Sequence, residues 1–145
     1  MINTNKLKIY LSGSTKNVDE SFQSWRTYCE TLTHNGYYTQ LDFIDPISYF
    51  NYTNKQSKTD KQCLDLFMWL IEQSDVLLVN LDYSNISIGT GMEIEHAYCR
   101  NVPIIAFGSK PDTWYNWGKE RSTVVFDTLD QAIDYINDKY RKAVC

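Results

Sequence analysis

Apolar and polar positions along the chain follow two rhythms that alternate. "KIYLSG" is a short apolar run from Lys8 to Leu11 ending in a Gly/Ser/Thr turn, the pattern of a buried strand. Val18, Phe22, Trp25, Cys29 and Leu32 then recur at spacings of 4 and 3, which predicts an amphipathic helix. Asn17 is its expected N-cap, and His34 with Gly36 its C-terminal signal. "YYTQLDF" alternates and reads as a second strand. The polar segment from Asp45 to Thr59, interrupted by Tyr49, Phe50 and Tyr52, reads as a long loop of the kind used for lids or binding. Leu64, Phe67, Met68 and Ile71 mark the core stripe of a second helix.

"DVLLVNL" is continuously apolar, as a parallel strand buried on both faces requires. "SNISIGTGMEIEHAY", Ser84 to Tyr98, follows and becomes a third helix. "VPIIAF" is a fourth strand, residues Gly108 to Ser122 a tryptophan-rich loop, "TVVF" a fifth strand and "TLDQAIDYINDKYRK" a last helix. Five alternations of strand and helix predict an α/β fold: a doubly wound five-stranded parallel sheet in the flavodoxin-like order 2-1-3-4-5. A single domain over residues 1–145 is expected. Ligands in such sheets bind at the carboxyl ends of strands one and three, where the winding reverses. Those ends carry "SGSTKN" and "LDYSNISIGTGME", the loops richest in glycine and hydroxyl groups.

Composition narrows the function classes. At 145 residues and 43% hydrophobic content the chain can bury an ordinary core. A net charge of -4, with lysines and arginines scattered, argues against nucleic acid or an anionic membrane as partner. No apolar run approaches the length of a membrane span, and "MINTNKLK" lacks the apolar core of a signal peptide, so the cytoplasm is the expected address. Cys29, Cys63, Cys99 and Cys145 form no CxxC pair, and Cys29 and Cys99 read as small core residues. His96 with Cys99 lacks a third ligand, so neither metal nor cofactor is expected.

Glu93 admits two readings. Thr90-Gly-Met-Glu93 matches the capping box S/T-x-x-E, in which the glutamate reaches back to the N-cap amide. A capping box does not need glycine at both 89 and 91, however, and paired glycines suit close approach to a sugar or phosphate. A first-turn glutamate would be kept ionised by the positive helix end, and an ionised carboxylate at a pocket can act as a nucleophile. The pattern alone leaves both open.

"IYLSGS" together with "SIGTGMEIEHAY" resembles the nucleoside 2-deoxyribosyltransferase family, including its 2'-deoxynucleoside 5'-monophosphate N-hydrolase branch. By order of elements the resemblance covers most of the chain, but only these two motifs are specific. It implies that Glu93 attacks the anomeric carbon, that Tyr10 holds the nucleophile by a hydrogen bond, and that Ala97 is the small residue four positions on. Transferases of this family carry an aspartate six positions before the nucleophile, and this chain has Ser87 there. The resemblance therefore points to a 5'-monophosphate held by Ser87 and by the loop of Ser12, Gly13, Ser14, Thr15 and Lys16; an ordinary Ser/Gly turn is the alternative for that loop. Gly89 and Gly91 are expected beside the substrate. Asp82 is either a sugar or base ligand or an Asx-turn residue. Tyr49, Phe50, Tyr52, Trp114 and Trp117 are candidates for stacking on the base. A homodimer or higher oligomer is implied, with the late loop of Asn116 and Ser122 completing a neighbour's pocket.

One departure stands out. Where the resemblance calls for a catalytic aspartate on helix two, eight residues before Asp75, this chain has Phe67; Asp65 on a flanking face and Asp60 one to two turns earlier on the stripe face are either substitutes or solvated helix residues. A nucleotide-binding or sensing module without turnover is the competing reading. A flavin carrier would leave "GTGME" without a task.

Overall fold

The computed structural model describes residues 6–15, 18–34, 36–48 and 60–141. Strands β1 (Leu7–Ser12), β2 (Leu41–Ile44), β3 (Val76–Asn80), β4 (Ile104–Phe107) and β5 (Val124–Phe126) form one sheet. Its order is β2-β1-β3-β4-β5 and every neighbouring pair is parallel, as the strand pattern predicts. α-Helices among the described residues include α1 (Ser24–Leu32), α2 (Asp60–Glu72), α3 (Ile88–Cys99), α4 (Gly118–Arg121) and α5 (Leu129–Ile136), and residues 46–48 are helical as well.

Successive strand residues point to opposite faces, and two cores result. Leu7, Ile9 and Leu11 of β1 join Val76, Leu78, Ile105 and Phe107 against Trp25 and Cys29 of α1 and Ala132, Ile133 and Ile136 of α5. Tyr10 joins Leu77, Val79, Ile104 and Ala106 against Leu70 and Ile71 of α2 and Ile94 and Ala97 of α3. Ser12 shares the parity of Tyr10, so both face the α3 side. This assignment of faces brings β1 into the site.

Several element boundaries differ from the pattern. The first helix opens as a tight 3-10 turn, Glu20–Gln23, before α1, and Asn17 lies outside the described residues. α1 ends on Thr33 in right-handed conformation, and Gly36 begins a 3-10 turn, Gly36–Tyr38, instead of capping the helix. No described glycine has a positive φ. The same turn removes Tyr37 and Tyr38 from β2; the Tyr38 hydroxyl reaches Asp134 of α5 at 2.6 Å. The loop from Gly108 to Ser122 contains α4, too short to register as a period. α5 has the capping box that its sequence permits, Thr128 with Gln131, and runs on as a π-turn, Asn137–Arg141. Cys29 is buried, whereas Cys99 is exposed on α3. Among the described residues no helix is long and apolar enough to cross a membrane.

Candidate active site

α3 starts one turn before the position its capping-box pattern suggests. Ser87, in extended conformation, is the N-cap; its Oγ accepts from the Thr90 amide at 3.2 Å and pairs with Thr90 Oγ1 at 2.7 Å. Glu93 therefore lies in the second turn and caps nothing. Its carboxylate turns to the sheet, where the Tyr10 hydroxyl donates to Oε2 and the Ser12 hydroxyl to Oε1, the latter at 2.8 Å. Ala97, fully buried one turn on, lets the helix lie close to the strands.

The same geometry replaces the expected electrostatics. Away from the first turn, Glu93 gains little from the helix dipole. Burial raises its pKa above the ordinary carboxylate value; the bonds from Tyr10 and Ser12 and the charge of Arg26 oppose that rise. Burial, together with the charge and hydrogen bond of Glu93, pushes the Tyr10 phenol well above its ordinary value. Tyr10 thus keeps its proton and remains the donor.

Arg26 on α1 is 2% exposed and ties three elements. Its Nη1 donates to the Leu11 carbonyl at 3.0 Å and to Asp45 Oδ1 at 3.1 Å, its Nη2 to the Gly13 carbonyl at 2.9 Å, and its Nε to Gln23 Oε1 at 2.9 Å. Gln23 Nε2 in turn donates to the Ser14 carbonyl at 2.6 Å. The end of β1 is held open at its carbonyls by this guanidinium. The sequence carried one sign of it: Arg26 stands four residues after Phe22 and three before Cys29, on the apolar stripe of its helix.

A cavity of about 490 Å³ opens beside Glu93. Thr15, Gln23, Arg26, Ser87, Thr90 and Glu93 line its polar part, with the backbone of Gly13 and Gly89. Pro46, Ile47, Leu64, Phe67 and Met68 form the apolar remainder. The stripe read as the core of helix two serves both core and cavity: Ile71 is fully buried, Phe67 and Met68 pack against the core while also lining the cavity, and Leu64 lines it. A Cβ at Gly89 would meet no atom within 4 Å, so packing does not require glycine there. Gly91 lies off the cavity lining, and a Cβ there would make an ordinary contact with the Tyr115 ring at 3.6 Å, so packing does not require glycine at that position either.

Other predicted site residues lie elsewhere. Ser14 Oγ donates to the Tyr83 carbonyl at 2.7 Å, joining the loops after β1 and β3, and Tyr83 itself holds a left-handed φ of 62. Asp82 is buried and serves the protein: its Oδ1 accepts from the Lys110 amide at 2.9 Å and from Trp114 Nε1 at 3.0 Å, and both its oxygens accept from the Ser109 amide. Trp114 is thereby packed as a structural residue. Ser122 Oγ donates to the Gly118 carbonyl at 2.6 Å, closing α4 and lying off the cavity lining. His96 Nε2 lies 2.9 Å from Glu72 Oε2, linking α3 to α2. Among the described residues no group of three or more His, Cys, Asp or Glu could hold a metal ion. Lys16, Tyr49, Phe50 and Tyr52 lie outside the described residues.

No family model matches the chain, and no curated protein matches it. Solved structures do. A 2-deoxyribosyltransferase from Bacillus psychrosaccharolyticus superposes with TM-score 0.66 at 13% identity, over 88% of this chain and 91% of that one. A 2-deoxyribosyltransferase from Leishmania mexicana gives TM-score 0.67 at 15% identity, over 92% and 99%. A conserved protein from Enterococcus faecalis V583 gives 0.58 at 17% identity, over 90% and 86%. At such identities the likeness is one of architecture, and on that footing the chain has the fold of the 2-deoxyribosyltransferases.

Proposed function

We propose that this chain cleaves or transfers the N-glycosidic bond of 2'-deoxynucleosides or their 5'-monophosphates, with Glu93 as nucleophile. One observation carries the reading. Glu93 is a carboxylate freed from helix capping, fixed through both oxygens by Tyr10 and Ser12, and set on the wall of a cavity of nucleoside size. The names of two solved neighbours of the same fold, both 2-deoxyribosyltransferases, agree with it.

In this reading a Glu93 oxygen forms a bond to C1' as the C1'–N bond breaks, leaving a covalent deoxyribosyl ester and the departed base. Water or a second base then attacks C1' and releases the carboxylate. Tyr10 and Ser12 aim the carboxylate, and Arg26 favours its ionised form. Ser87, Gly89 and the N-terminus of α3 border the cavity, an arrangement suited to a 5'-phosphate. Ser87 in place of a carboxylate avoids repelling that dianion. Ser122, off the cavity lining of its own chain, would serve a neighbouring copy in a homo-oligomer.

The test is incubation with deoxynucleosides and their 5'-monophosphates, with and without a free acceptor base, alongside Glu93→Ala. Base release from monophosphates alone, absent in the variant, supports the hydrolase branch. A new nucleoside formed only with the acceptor supports transfer. Binding of a monophosphate without turnover in either protein refutes the nucleophile role and favours a nucleotide-binding module.

A further inference from the structure

Among the described residues lining the cavity, Glu93 is the one carboxyl group, and no histidine, cysteine, lysine or tyrosine joins it. Arg26 cannot serve as an acid, because a guanidinium does not give up its proton in a protein. The hydroxyls of Thr15, Ser87 and Thr90 and the amide of Gln23 are no better. Tyr10 is spent on Glu93, and its phenol holds its proton far too tightly. The rest of the described lining is apolar, with Phe67 and Met68 of α2 facing the same space as the nucleophile.

This matters for the leaving group. A neutral nucleobase departs as an anion unless it is protonated, and a positioned acid contributes roughly 100- to 10,000-fold to such a step. A ring already quaternised at the glycosidic or a conjugated nitrogen needs no proton, since it leaves as a neutral molecule. A flat cation also suits this wall. The Glu93 carboxylate attracts it across a poorly screened cavity, and the face of an aromatic ring such as Phe67 favours it. Asp45 at 3.1 Å offsets part of the positive charge of Arg26, and the remainder is felt by Glu93.

We propose that the site takes N-glycosides whose aglycone is a cationic aromatic ring. This rests on the reading of Glu93 as nucleophile. In the step, the C1'–N bond breaks and both its electrons pass to the ring, cancelling its charge, while Glu93 forms the C1'–O bond. A water oxygen then attacks C1', the ester electrons return to Glu93 and the water's proton passes to solvent. Cationic glycoside and water become free sugar, neutral base and one proton. An N7-alkylated purine and an N-glycosylated pyridine share this chemistry.

The experiment compares 7-methyl-2'-deoxyguanosine and the 2'-deoxyribosyl pyridinium of nicotinamide with 2'-deoxyguanosine and 2'-deoxycytidine, all with and without a 5'-phosphate. Wild type, Glu93→Gln and Phe67→Asp are assayed from pH 5 to 9, with uncatalysed release subtracted. Expected is a kcat/KM for a cationic probe at least about 100-fold above its neutral counterparts, with no falling alkaline limb for the pyridinium, whose charge is permanent, and for 7-methyl-2'-deoxyguanosine only the fall that follows loss of its N1 proton. Expected too is loss of release in Glu93→Gln, and in Phe67→Asp a narrowed ratio with an alkaline limb gained. Release from one cationic class alone supports the proposal and names the source. Equal rates on neutral and cationic probes, still dependent on Glu93, overturn it and leave the nucleophile standing. Wild type no faster than Glu93→Gln on every probe overturns both.

Discussion

Replacing Tyr10 by Phe removes one oxygen atom from a fully buried side chain and isolates a single bond, the one from the phenol to Glu93 Oε2. Ser12 still serves Oε1, so the carboxylate keeps one donor. A hydrogen bond to an ionised group contributes about 1.5–3 kcal/mol, and one between neutral groups about 0.5–1.5 kcal/mol. The cost of Tyr10→Phe therefore depends on the charge of Glu93. Burial raises the folded pKa of Glu93 above its unfolded value, so the folded state holds the proton more tightly. Stability conferred by that proton is full below the unfolded pKa and declines as pH rises through the folded one. Tyr10 opposes the upward shift, so losing it moves the folded pKa higher and deepens the decline. Urea denaturation should give a loss of about 1.5–3 kcal/mol at pH 8 and about 0.5–1.5 kcal/mol at pH 4. In a Glu93→Gln background the pH-dependent part should vanish. In activity, the acid limb of base release should move to higher pH. An equal loss at both pH values, or a larger one at pH 4, refutes the reasoning.

Arg26→Met should cost about 3–5 kcal/mol, because Asp45, with its side chain 10% exposed, is left unpaired beside two carbonyls stripped of their donor. Adding Asp45→Asn should recover part of that loss in the same denaturation assay, and a further loss would contradict the pairing. Gly108→Ala would set a Cβ 2.8 Å from Trp114 Nε1 and 2.9 Å from Asp82 Oδ1, an overpacking that costs about 1–3 kcal/mol. Its melting temperature against wild type decides, and an unchanged value would mean that the loop yields.

The sheet was legible because its signal is local: β3 and β4 are apolar runs, the alternation with helices makes the sheet parallel, and the order 2-1-3-4-5 is that of the common small version of this architecture. The same logic predicts a site at the ends of β1 and β3, and the cavity beside Glu93 opens there. What escaped was decided by contacts remote in sequence. Thr90 and Glu93 satisfy the spacing of a capping box, yet Ser87 takes the cap and Tyr10 and Ser12 take the glutamate. Leu64, Phe67 and Met68 keep helical period, and period does not distinguish a helix's core face from a cavity wall. Arg26 was visible as a charge on an apolar stripe, but its four acceptors lie on three separate segments.

The placement of Tyr10 and Ser12 on one side of β1 has an evolutionary corollary. Odd-numbered positions of that strand feed the packing of one layer, while Tyr10 and Ser12 reach the carboxylate of Glu93 in the other. Substitution at Leu7, Ile9 or Leu11 can be absorbed by repacking, but inserting or deleting one residue ahead of Tyr10 would exchange the two lineages of side chain. The sheet would still form, with leucine and isoleucine facing Glu93 and a tyrosine thrust among aliphatic neighbours. Descent should therefore conserve the length of this strand more strictly than its spelling.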